Sequence, residues 1–497
     1  MVSSEVPFSG YDRLYVGGEW IAPSTGAFDE IPDPATESVF GRAPVGGVRE
    51  VDAALAAARH AFDHGPWPRL STAERAARLE PFVAWLAERG DAIVRLIVTE
   101  TGVAQGLARA VGYDTSVAVG RAILALARTD LDRNLPLEAV PLPDGTANVG
   151  AGVVVREPIG VVSVITPYNF PLLMGIVKSM QALVMGNSVV LKPSPFTPFE
   201  SLLLAEAAEA ARLPEGVFNV VTGSVDVGSL LTSDPRVDMV SFTGSDTVGS
   251  LIQAQAAPTL KRLVLELGGK SAMIVCPDAD LDLAVSAGLR SMTMHAGQAC
   301  GLTTRHIVHN SVKSAYLDRL AEMARSVKIG HGLVPGVTMG PLIRASQRDK
   351  VESYVQLARD GGGRLVFGGQ RPTEQNQGFF YEPTLFDGLD NNSPVAREEI
   401  FGPVAVILGV DSDEEAVSVA NDSDFGLAGT VWSRNMGRAF EIARAMRTGG
   451  VSINGGPGNF SVHAPFGGIK RSGFGREYGI EGLHEYSYAK TIRFRTA

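Results

Sequence analysis

The chain has 497 residues, of which 45% are hydrophobic and 20% charged, and its formal net charge is −10. This length predicts two or three domains rather than one simple core, and the acidic balance without a Lys- or Arg-rich run argues against a nucleic-acid partner. No stretch approaches the roughly 20 uninterrupted apolar residues that a membrane helix needs, so no membrane partner is predicted.

The N-terminus and the cysteine count predict the cellular compartment. Residues 1–20 have no basic start followed by an apolar block, so the sequence predicts no secretory signal. The two cysteines, Cys276 and Cys300, do not make a disulfide framework. We therefore expect a cytoplasmic protein in which Cys300 is a free thiol. The histidines are scattered and no CxxC or HExxH occurs, so no metal site is predicted.

The first third of the chain predicts small strands followed by helices. Short alternating runs broken by Gly and Pro over 14–45 indicate strands, and an alanine-rich helix begins near Val51. Ser71 and Glu74 fit a capping box at the start of the next helix, and 91–129 is also helical in pattern.

Two distant segments are predicted to be extended. Pro, Asp-Gly and β-branched residues over 134–155 predict a hairpin, and the C-terminal segment 486–495 is a strand-like candidate for its mate. Neither has an obvious core to cover, so we expect them to pair at a subunit edge.

The middle of the chain alternates strands and helices. This alternation predicts a parallel, doubly wound α/β sheet between residues 160 and 267, and a second α/β region from about 271 to 453 contains Cys300. The predicted strands are 161–166, 188–192, 217–223, 237–244 and 263–267, with a helix at 201–211.

Such sheets bind ligands beyond the carboxyl ends of their strands, where four candidate residues fall. Asn169 is either a hydrogen-bond donor for an oxyanion or an Asx-turn residue. Lys192 is either a contact for ribose or phosphate or an ordinary surface lysine. Gly244 opens a helix that could face a phosphate, although a glycine at such a turn is often only steric. Glu266 interrupts an apolar strand and is either a general base or an edge glutamate.

The neighbours of Cys300 are small. Gly297, Ala299 and Gly301 leave room around the sulfur, as a reacting thiolate needs. The spacing from His295 does not favour a Cys–His dyad, so His295 is interpreted as structural. Cys276 ends an apolar run and is interpreted as inert core.

Five motifs in register carry a family resemblance. FTGS, LELGGK, GQAC, EEIFGP at 398–403 and PFGGIKRSG at 465–473 resemble the NAD(P)-dependent aldehyde dehydrogenase superfamily, from about Tyr15 to Arg495. The resemblance implies a Rossmann-like cofactor domain, a second α/β catalytic domain and a small β oligomerisation element. The NAD(P)-binding domain is expected to cover residues 1–133 and 156–267, and the catalytic domain residues 268–462. Residues 134–155 and 483–497 are the expected oligomerisation strands of a homodimer or homotetramer.

The resemblance also implies residue roles. Cys300 matches the nucleophile, Glu266 the base that activates water against a thioester, and Asn169, with the Cys300 backbone N–H, the oxyanion site. The implied cofactor-binding residues are Thr166, Lys192, Ser194, Pro195, Gly228, Phe242, Gly244, Ser245, Leu267, Glu399 and Phe401. The implied substrate-tunnel residues are Phe170, Leu173, Met174, Val177, Phe460 and Phe466.

Two departures from the family pattern bear on specificity. Pro195 stands where many members have a glutamate that binds the adenosine ribose; we expect NAD+ as the coenzyme, with NADP+ use left open. Tyr168 replaces the usual tryptophan. The apolar tunnel, without a charged anchor, predicts a medium-sized aromatic or branched aldehyde as the small-molecule partner.

Three rival functions remain at this point. Acyl transfer to CoA is disfavoured because CoA-acylating relatives generally lack the base that Glu266 resembles. A non-enzymatic crystallin-like role is disfavoured by the intact Cys300, Glu266 and Asn169. A thiol hydrolase is distinguished by whether aldehyde drives NADH formation.

Overall fold

The structure is a computed structural model, and it describes residues 11–456 and 461–495. The N-terminal half supplies short strands, a helical layer and the strands of a parallel sheet. Its elements are β1 (Leu14–Val16), β2 (Glu19–Ile21), β3 (Phe28–Pro32), β4 (Val39–Pro44), α1 (Val48–Asp63), α2 (Thr72–Ala87), α3 (Gly90–Thr101), α4 (Gln105–Leu107), a π-helical turn (Ala108–Asp114), α5 (Thr115–Leu126), β5 (Arg133–Pro141), β6 (Ala147–Pro158), β7 (Val161–Ile165), α6 (Pro171–Val184), β8 (Ser188–Lys192), α7 (Phe199–Ala210), β9 (Phe218–Val220), α8 (Val225–Ser233), β10 (Met239–Thr243), α9 (Asp246–Ala256) and β11 (Arg262–Glu266).

The C-terminal half alternates strands and helices again before returning to the first half. Its elements are β12 (Ala272–Val275), α10 (Leu281–Thr293), β13 (Arg305–His309), α11 (Asn310–Ala324), α12 (Ala345–Asp360), β14 (Arg364–Phe367), β15 (Thr384–Asp387), α13 (Pro394–Arg397), β16 (Val404–Val410), α14 (Asp413–Asn421), β17 (Phe425–Gly426), β18 (Ala428–Trp432), α15 (Met436–Ala445), β19 (Gly450–Ile453), β20 (Ile469–Lys470), β21 (Gly473–Phe474), α16 (Gly479–Glu485) and β22 (Ser487–Arg495).

The first sheet has the strand order β2-β1-β9-β8-β7-β10-β11-β21. Strands β9, β8, β7, β10 and β11 are parallel, which confirms the doubly wound prediction and all five predicted strands to within a few residues. Residues of β7, β8 and β10 are buried throughout, because helices cover both faces of the sheet. The carboxyl ends of the parallel strands therefore meet along one edge.

The second sheet has the order β14-β15-β16-β13-β12-β18-β19 and is parallel except for β14. It confirms the second α/β region. The predicted boundaries left 463–482 unassigned, and the structure adds part of that segment to the first sheet: β21 pairs antiparallel with β11. The chain thus crosses back beside Glu266 after completing the second sheet.

The two segments predicted to be extended do pair. Strand β22 runs antiparallel to β6, and β6 to β5, in a small sheet that we call the β22-β6-β5 sheet. The capping box is also confirmed, since Ser71 and Glu74 exchange side-chain and backbone hydrogen bonds at the start of α2. Within the described ranges, no helix combines the length and apolar character needed to cross a bilayer.

Candidate active site

A cavity of about 490 Å³ opens along the edge where the parallel strands of the first sheet end. Most residues predicted from the sequence line it, although they come from elements far apart in the chain. These are Thr166, Asn169, Phe170, Leu173, Met174, Lys192, Ser194, Pro195, Gly228, Phe242, Gly244, Ser245, Glu266, Leu267, Cys300, Glu399, Phe401 and Phe466.

Two predicted residues stand apart from this cavity lining. Val177 lies one turn beyond Leu173 on α6, and its side chain is fully buried in the core of the first half instead of facing the cavity. Phe460 lies outside the described residues.

Cys300 reaches the cavity through a left-handed loop after α10. His295 and Ala296 both have φ of 52° and Gly297 has φ of 76°, a region that glycine enters most easily. A Cβ on Gly297 would collide with the backbone of Gly402, which leaves room only for glycine. The loop turns the chain so that Cys300, partly exposed, faces the cavity.

The surroundings of the sulfur disfavour the thiolate form of Cys300. Burial, followed by the charges of Glu399 and Glu266, raises the pKa of the Cys300 thiol to about 12, and its own backbone N–H works in the opposite direction. A Cβ on Gly269 would lie 3.1 Å from the carbonyl oxygen of Cys300, so the LGG backbone passes directly against the thiol loop. Small residues on both sides of the sulfur leave space for a reacting carbonyl.

Asn169 lies just after β7 and points to the thiol loop. Its Nδ2 donates to the carbonyl oxygen of Gln298 at 2.8 Å, so one hydrogen of the amide is used and the other is left for a ligand. In the described part of the chain, the backbone N–H of Cys300 has no hydrogen-bond acceptor outside its own residue. The Asn169 amide and the Cys300 backbone N–H are thus two donors at the thiol loop. The sequence did not single out Gln298.

Glu266 ends β11 and is almost fully buried at the inner end of the cavity. Among the described residues, neither carboxylate oxygen has a hydrogen-bond partner. Burial and then the charge of Glu477 raise the pKa of Glu266 well above its usual value, while Lys178 lowers it. Lys178 Nζ donates to Glu477 Oε1 at 2.5 Å, in a fully buried ion pair. Glu477 lines the cavity too, and no local pattern of residues predicted it.

The Glu399–Phe401 loop closes the cavity from the second sheet. Glu399 Oε1 accepts from the backbone N–H of Gly269 at 3.0 Å, and burial raises its pKa to about 7. Helix α12 holds this loop: Lys350 Nζ donates to the Glu399 carbonyl oxygen at 3.0 Å, and Gln347 Nε2 to the Phe401 carbonyl oxygen at 2.8 Å. Gln347 and Lys350 also line the cavity. The sequence did not predict them, because the only pattern that joins them is a spacing of three residues on one helix face, which many residue pairs share.

The opposite end of the cavity is formed by strand ends of the first sheet. Lys192 Nζ donates to the Pro193 carbonyl oxygen at 2.9 Å, and burial lowers its pKa to about 8. Ser245 caps α9, since its Oγ accepts from the Val248 N–H at 3.3 Å. A Cβ on Gly249 would come within 2.7 Å of the Leu267 side chain, so α9 packs closely and brings its N-terminus to the cavity. This arrangement fits a bound dinucleotide phosphate.

A group of apolar side chains lines the cavity. Phe170, Leu173, Met174 and Phe466 are among them, and Val111 adds a side chain that the sequence did not indicate. Val111 lies in the π-helical turn Ala108–Asp114, an irregularity that has no clear signature in a helical pattern.

The remaining titratable candidates are packing groups. The His295 ring meets Phe170 edge-on at 5.5 Å, and burial lowers the His295 pKa to about 4, so the ring is neutral near pH 7. Cys276 is buried, and burial raises its thiol pKa to about 12. Within residues 11–456 and 461–495, no three His, Cys, Asp or Glu side chains come close enough to hold a metal ion.

A thiol, two hydrogen-bond donors, a buried carboxyl group and a helix N-terminus meet in one cleft of an α/β fold, an arrangement that suits nucleophilic catalysis next to a dinucleotide. Comparison with known proteins gives the family. The aldehyde dehydrogenase family model matches residues 20–492. Geranial dehydrogenase of Castellaniella defragrans is 40% identical over 482 residues, covering 97% of this chain and 98% of the relative. Betaine aldehyde dehydrogenase of Bacillus subtilis is 37% identical over 482 residues, covering 96% of each.

Solved structures agree. The crystal structure of Mycobacterium tuberculosis aldehyde dehydrogenase complexed with NAD+ superposes with a TM-score of 0.91 at 39% identity, covering 97% of this chain and 98% of that one. The chain therefore belongs to the aldehyde dehydrogenase family, whose reaction oxidises an aldehyde to the carboxylic acid.

Proposed function

We propose that the protein oxidises an apolar aldehyde through a covalent Cys300 intermediate. The Cys300 thiol loses its proton to solvent, and the thiolate sulfur bonds to the aldehyde carbon while the carbonyl electron pair moves to oxygen, giving the oxyanion of a thiohemiacetal. The side-chain amide of Asn169 and the backbone N–H of Cys300 stabilise the oxyanion. The observation that carries this proposal is the convergence of Cys300, Asn169 and Glu266 on one cavity.

The second half of the reaction releases the acid. A bound nicotinamide supplies a hydride acceptor, so loss of hydride from the carbon leaves a thioester on Cys300. Glu266 then takes a proton from a water molecule, which attacks the thioester and frees the carboxylic acid and the sulfur. A carboxyl group with a raised pKa and no competing hydrogen bond suits this role.

The coenzyme is NAD+, as in the structural relatives solved with NAD+. Lys192, Ser194 and Pro195 would face the adenosine ribose, and Glu399 with Phe401 the nicotinamide end. Pro195 brings neither a carboxylate against a 2′-phosphate nor a cation to bind one, so NADP+ remains a weaker alternative.

The lining of the cavity supports an uncharged substrate. The apolar residues of the lining include Leu173 and Met174 of α6 and Val111 of the π-helical turn. Two of the carboxyl groups in the lining are already bonded: Glu477 pairs with Lys178, and Glu399 accepts from the Gly269 N–H. Geranial, which gives the C. defragrans relative its name, is a branched apolar aldehyde. Betaine aldehyde, for which the B. subtilis relative is named, carries a permanent cation that this lining would not bind well.

The β22-β6-β5 sheet supports a homodimer or homotetramer. It exposes large apolar side chains along its surface, namely Leu137, Val140, Tyr488, Ile492 and Phe494. Burial of such a patch against a second copy is favourable. The domain roles, the oligomeric state and the cytoplasmic location stay predictions. Size-exclusion chromatography with light scattering measures the oligomeric state directly.

A kinetic panel tests the proposal. We expect NADH formation at 340 nm with geranial, benzaldehyde and branched aliphatic aldehydes, and kcat/KM at least about tenfold lower for betaine aldehyde and succinic semialdehyde. Cys300→Ala should abolish NADH formation and ester cleavage, with Cys276→Ala as the matched control that retains both. Best kcat/KM for an ionic aldehyde would contradict the substrate class, and stimulation by CoA would replace water with CoA as the acyl acceptor.

A further inference from the structure

Tyr168 lies between two aromatic rings in the cleft. Its ring meets Phe401 edge-on with centroids 5.9 Å apart, and Phe196 in the same manner at 6.3 Å. Both phenylalanines line the cavity, Phe196 from the loop after β8 and Phe401 from the loop after α13. Perpendicular contacts of this kind fix the ring orientation, so the direction of the Tyr168 hydroxyl is set by both halves of the molecule.

The hydroxyl binds the loop that carries the thiol. Tyr168 Oη donates to Gln298 Oε1 at 3.1 Å, and the same oxygen accepts from the Ile343 N–H at 3.0 Å. Gln298 is fully buried, and its Nε2 donates to the His295 carbonyl oxygen at 3.0 Å. The Gln298 amide thus ties together both ends of the left-handed turn that precedes Cys300.

Two consecutive residues of the loop after β7 bind Gln298. Tyr168 reaches its side-chain oxygen, and Asn169 donates to its backbone oxygen at 2.8 Å. Gln298 lies two residues before Cys300. The separation between the Asn169 amide and the Cys300 backbone N–H therefore depends on both bonds.

We propose that Tyr168 is a positioning residue of the oxyanion site, which sets the relative position of the Asn169 amide and the Cys300 N–H through Gln298. The inference rests on the roles proposed above for Cys300 and Asn169. Oxyanion donors are effective only when they are held at the site where negative charge develops, so a small displacement of one donor weakens the site.

Removal of the hydroxyl leaves the fold intact. In Tyr168→Phe, Gln298 Oε1 keeps the bond from the Ile343 N–H, so no buried acceptor is orphaned. The ring contacts with Phe196 and Phe401 are unchanged. The variant therefore isolates the bond to Gln298.

Two reactions of the same sulfur separate positioning from general damage. Acylation by p-nitrophenyl acetate passes through an oxyanion, whereas alkylation by iodoacetamide does not. We expect Tyr168→Phe to slow the acylation burst about five- to tenfold, with the alkylation rate changed less than about twofold. The matched control is Tyr316→Phe, which removes a buried hydroxyl that contacts His306 Nδ1 at 3.1 Å in the core of the second half. Both rates should be unchanged in that variant.

An unaltered acylation burst in Tyr168→Phe, or an equal slowing of both reactions, would overturn the inference. A second measurement uses the Asn169→Ala background, where the Tyr168→Phe effect on acylation should shrink to less than about twofold, because the donor being positioned is absent. A fully additive loss would contradict the coupling. Failure of the proposed function is distinct: Cys300→Ala would then retain the acylation burst.

Discussion

The two ends of the cavity are built in different ways. At the reacting end, Cys300, Asn169 and Glu266 come from three distant segments. Asn169 bonds to the Gln298 carbonyl oxygen of the thiol loop. The buried Lys178–Glu477 ion pair acts on the Glu266 carboxyl group through its charges. At the adenosine end, Lys192 is the last residue of β8 and Ser245 follows β10, two parallel strands on either side of β7, and their hydrogen bonds are local.

This difference shows where precision is needed. In the mechanism proposed above, the reacting end must hold donors and a base within a fraction of an ångström of a transient species, and long-range contacts such as the Asn169–Gln298 bond serve this need. The adenosine end would bind a part of the cofactor that does not react, for which strand ends with a helix N-terminus suffice. We expect substitutions at the reacting end to alter the order and rate of the chemical steps, and those at the adenosine end to alter coenzyme choice.

The largest effect is expected for Glu266→Gln. Gln cannot take a proton from water, so steady-state turnover should fall about 100-fold or more, while hydride transfer continues for one turnover. Rapid mixing with aldehyde and NAD+ should show a burst of NADH close to one per active site, followed by a slow phase.

Two controls bracket this measurement. Cys300→Ala should show no burst, and Glu215→Gln, at an exposed position, should behave as the unaltered protein. Steady turnover unaffected by Glu266→Gln would refute its assignment as the base.

The predictability of the site follows the same division. Lys192, Gly244 and Glu266 were accessible from the sequence because each stands at or just after the end of an apolar strand, and parallel strand ends must meet at one edge. Ser245 was implied only by the family resemblance. Glu477 and Lys178 were not, since they are 299 residues apart and lie in no recognisable pattern. Val177 shows the reverse error: its position on α6 resembles a tunnel residue, but core packing on that side of the helix cannot be read from spacing alone.

The fold also has parts that the sequence predicted and a part that it did not. Strand–helix alternation predicts both large sheets, and the strand character of 134–155 and 486–495 predicts the β22-β6-β5 sheet. The return of β21 to the first sheet was not predicted, because a strand of two residues has too short a pattern.

An effect of intermediate size is expected for the buried carboxyl group of Glu200, where a substitution should change the stability of the fold and not catalysis. Glu200 lies in the first turn of α7, after the Lys192 loop, and neither of its oxygens has a hydrogen-bond partner among the described residues. Burial raises its pKa from 4.5 to about 8. The folded state therefore keeps a proton that the unfolded state releases, and stability falls as the pH rises from about 4.5 to 8.

Glu200→Gln should remove this pH dependence. Between pH 5 and pH 9, the unfolding free energy of the unaltered protein should fall relative to that of the variant by on the order of a few kcal/mol. Urea unfolding at matched protein concentration measures it, because an oligomer's apparent stability depends on concentration. Glu215→Gln, an exposed change of the same kind, should leave the slope as it is. Parallel pH profiles for Glu200→Gln and the unaltered protein would show that Glu200 is charged in the folded state.

The smallest effect is expected at Pro195, where a substitution should change the choice of coenzyme and leave the chemical steps at the reacting end unaltered. Pro195 lines the cavity close to Lys192 in the chain. In the proposed cofactor site, a glutamate there would add a negative charge that repels a 2′-phosphate. Pro195→Glu should lower kcat/KM for NADP+ about tenfold, with kcat/KM for NAD+ within about threefold and kcat unchanged, because the reacting end is not touched. Pro195→Gln, similar in size but neutral, separates charge from shape. Equal losses with both coenzymes would mean that the proline holds the loop after Lys192 in shape, and that charge at this position does not select the coenzyme.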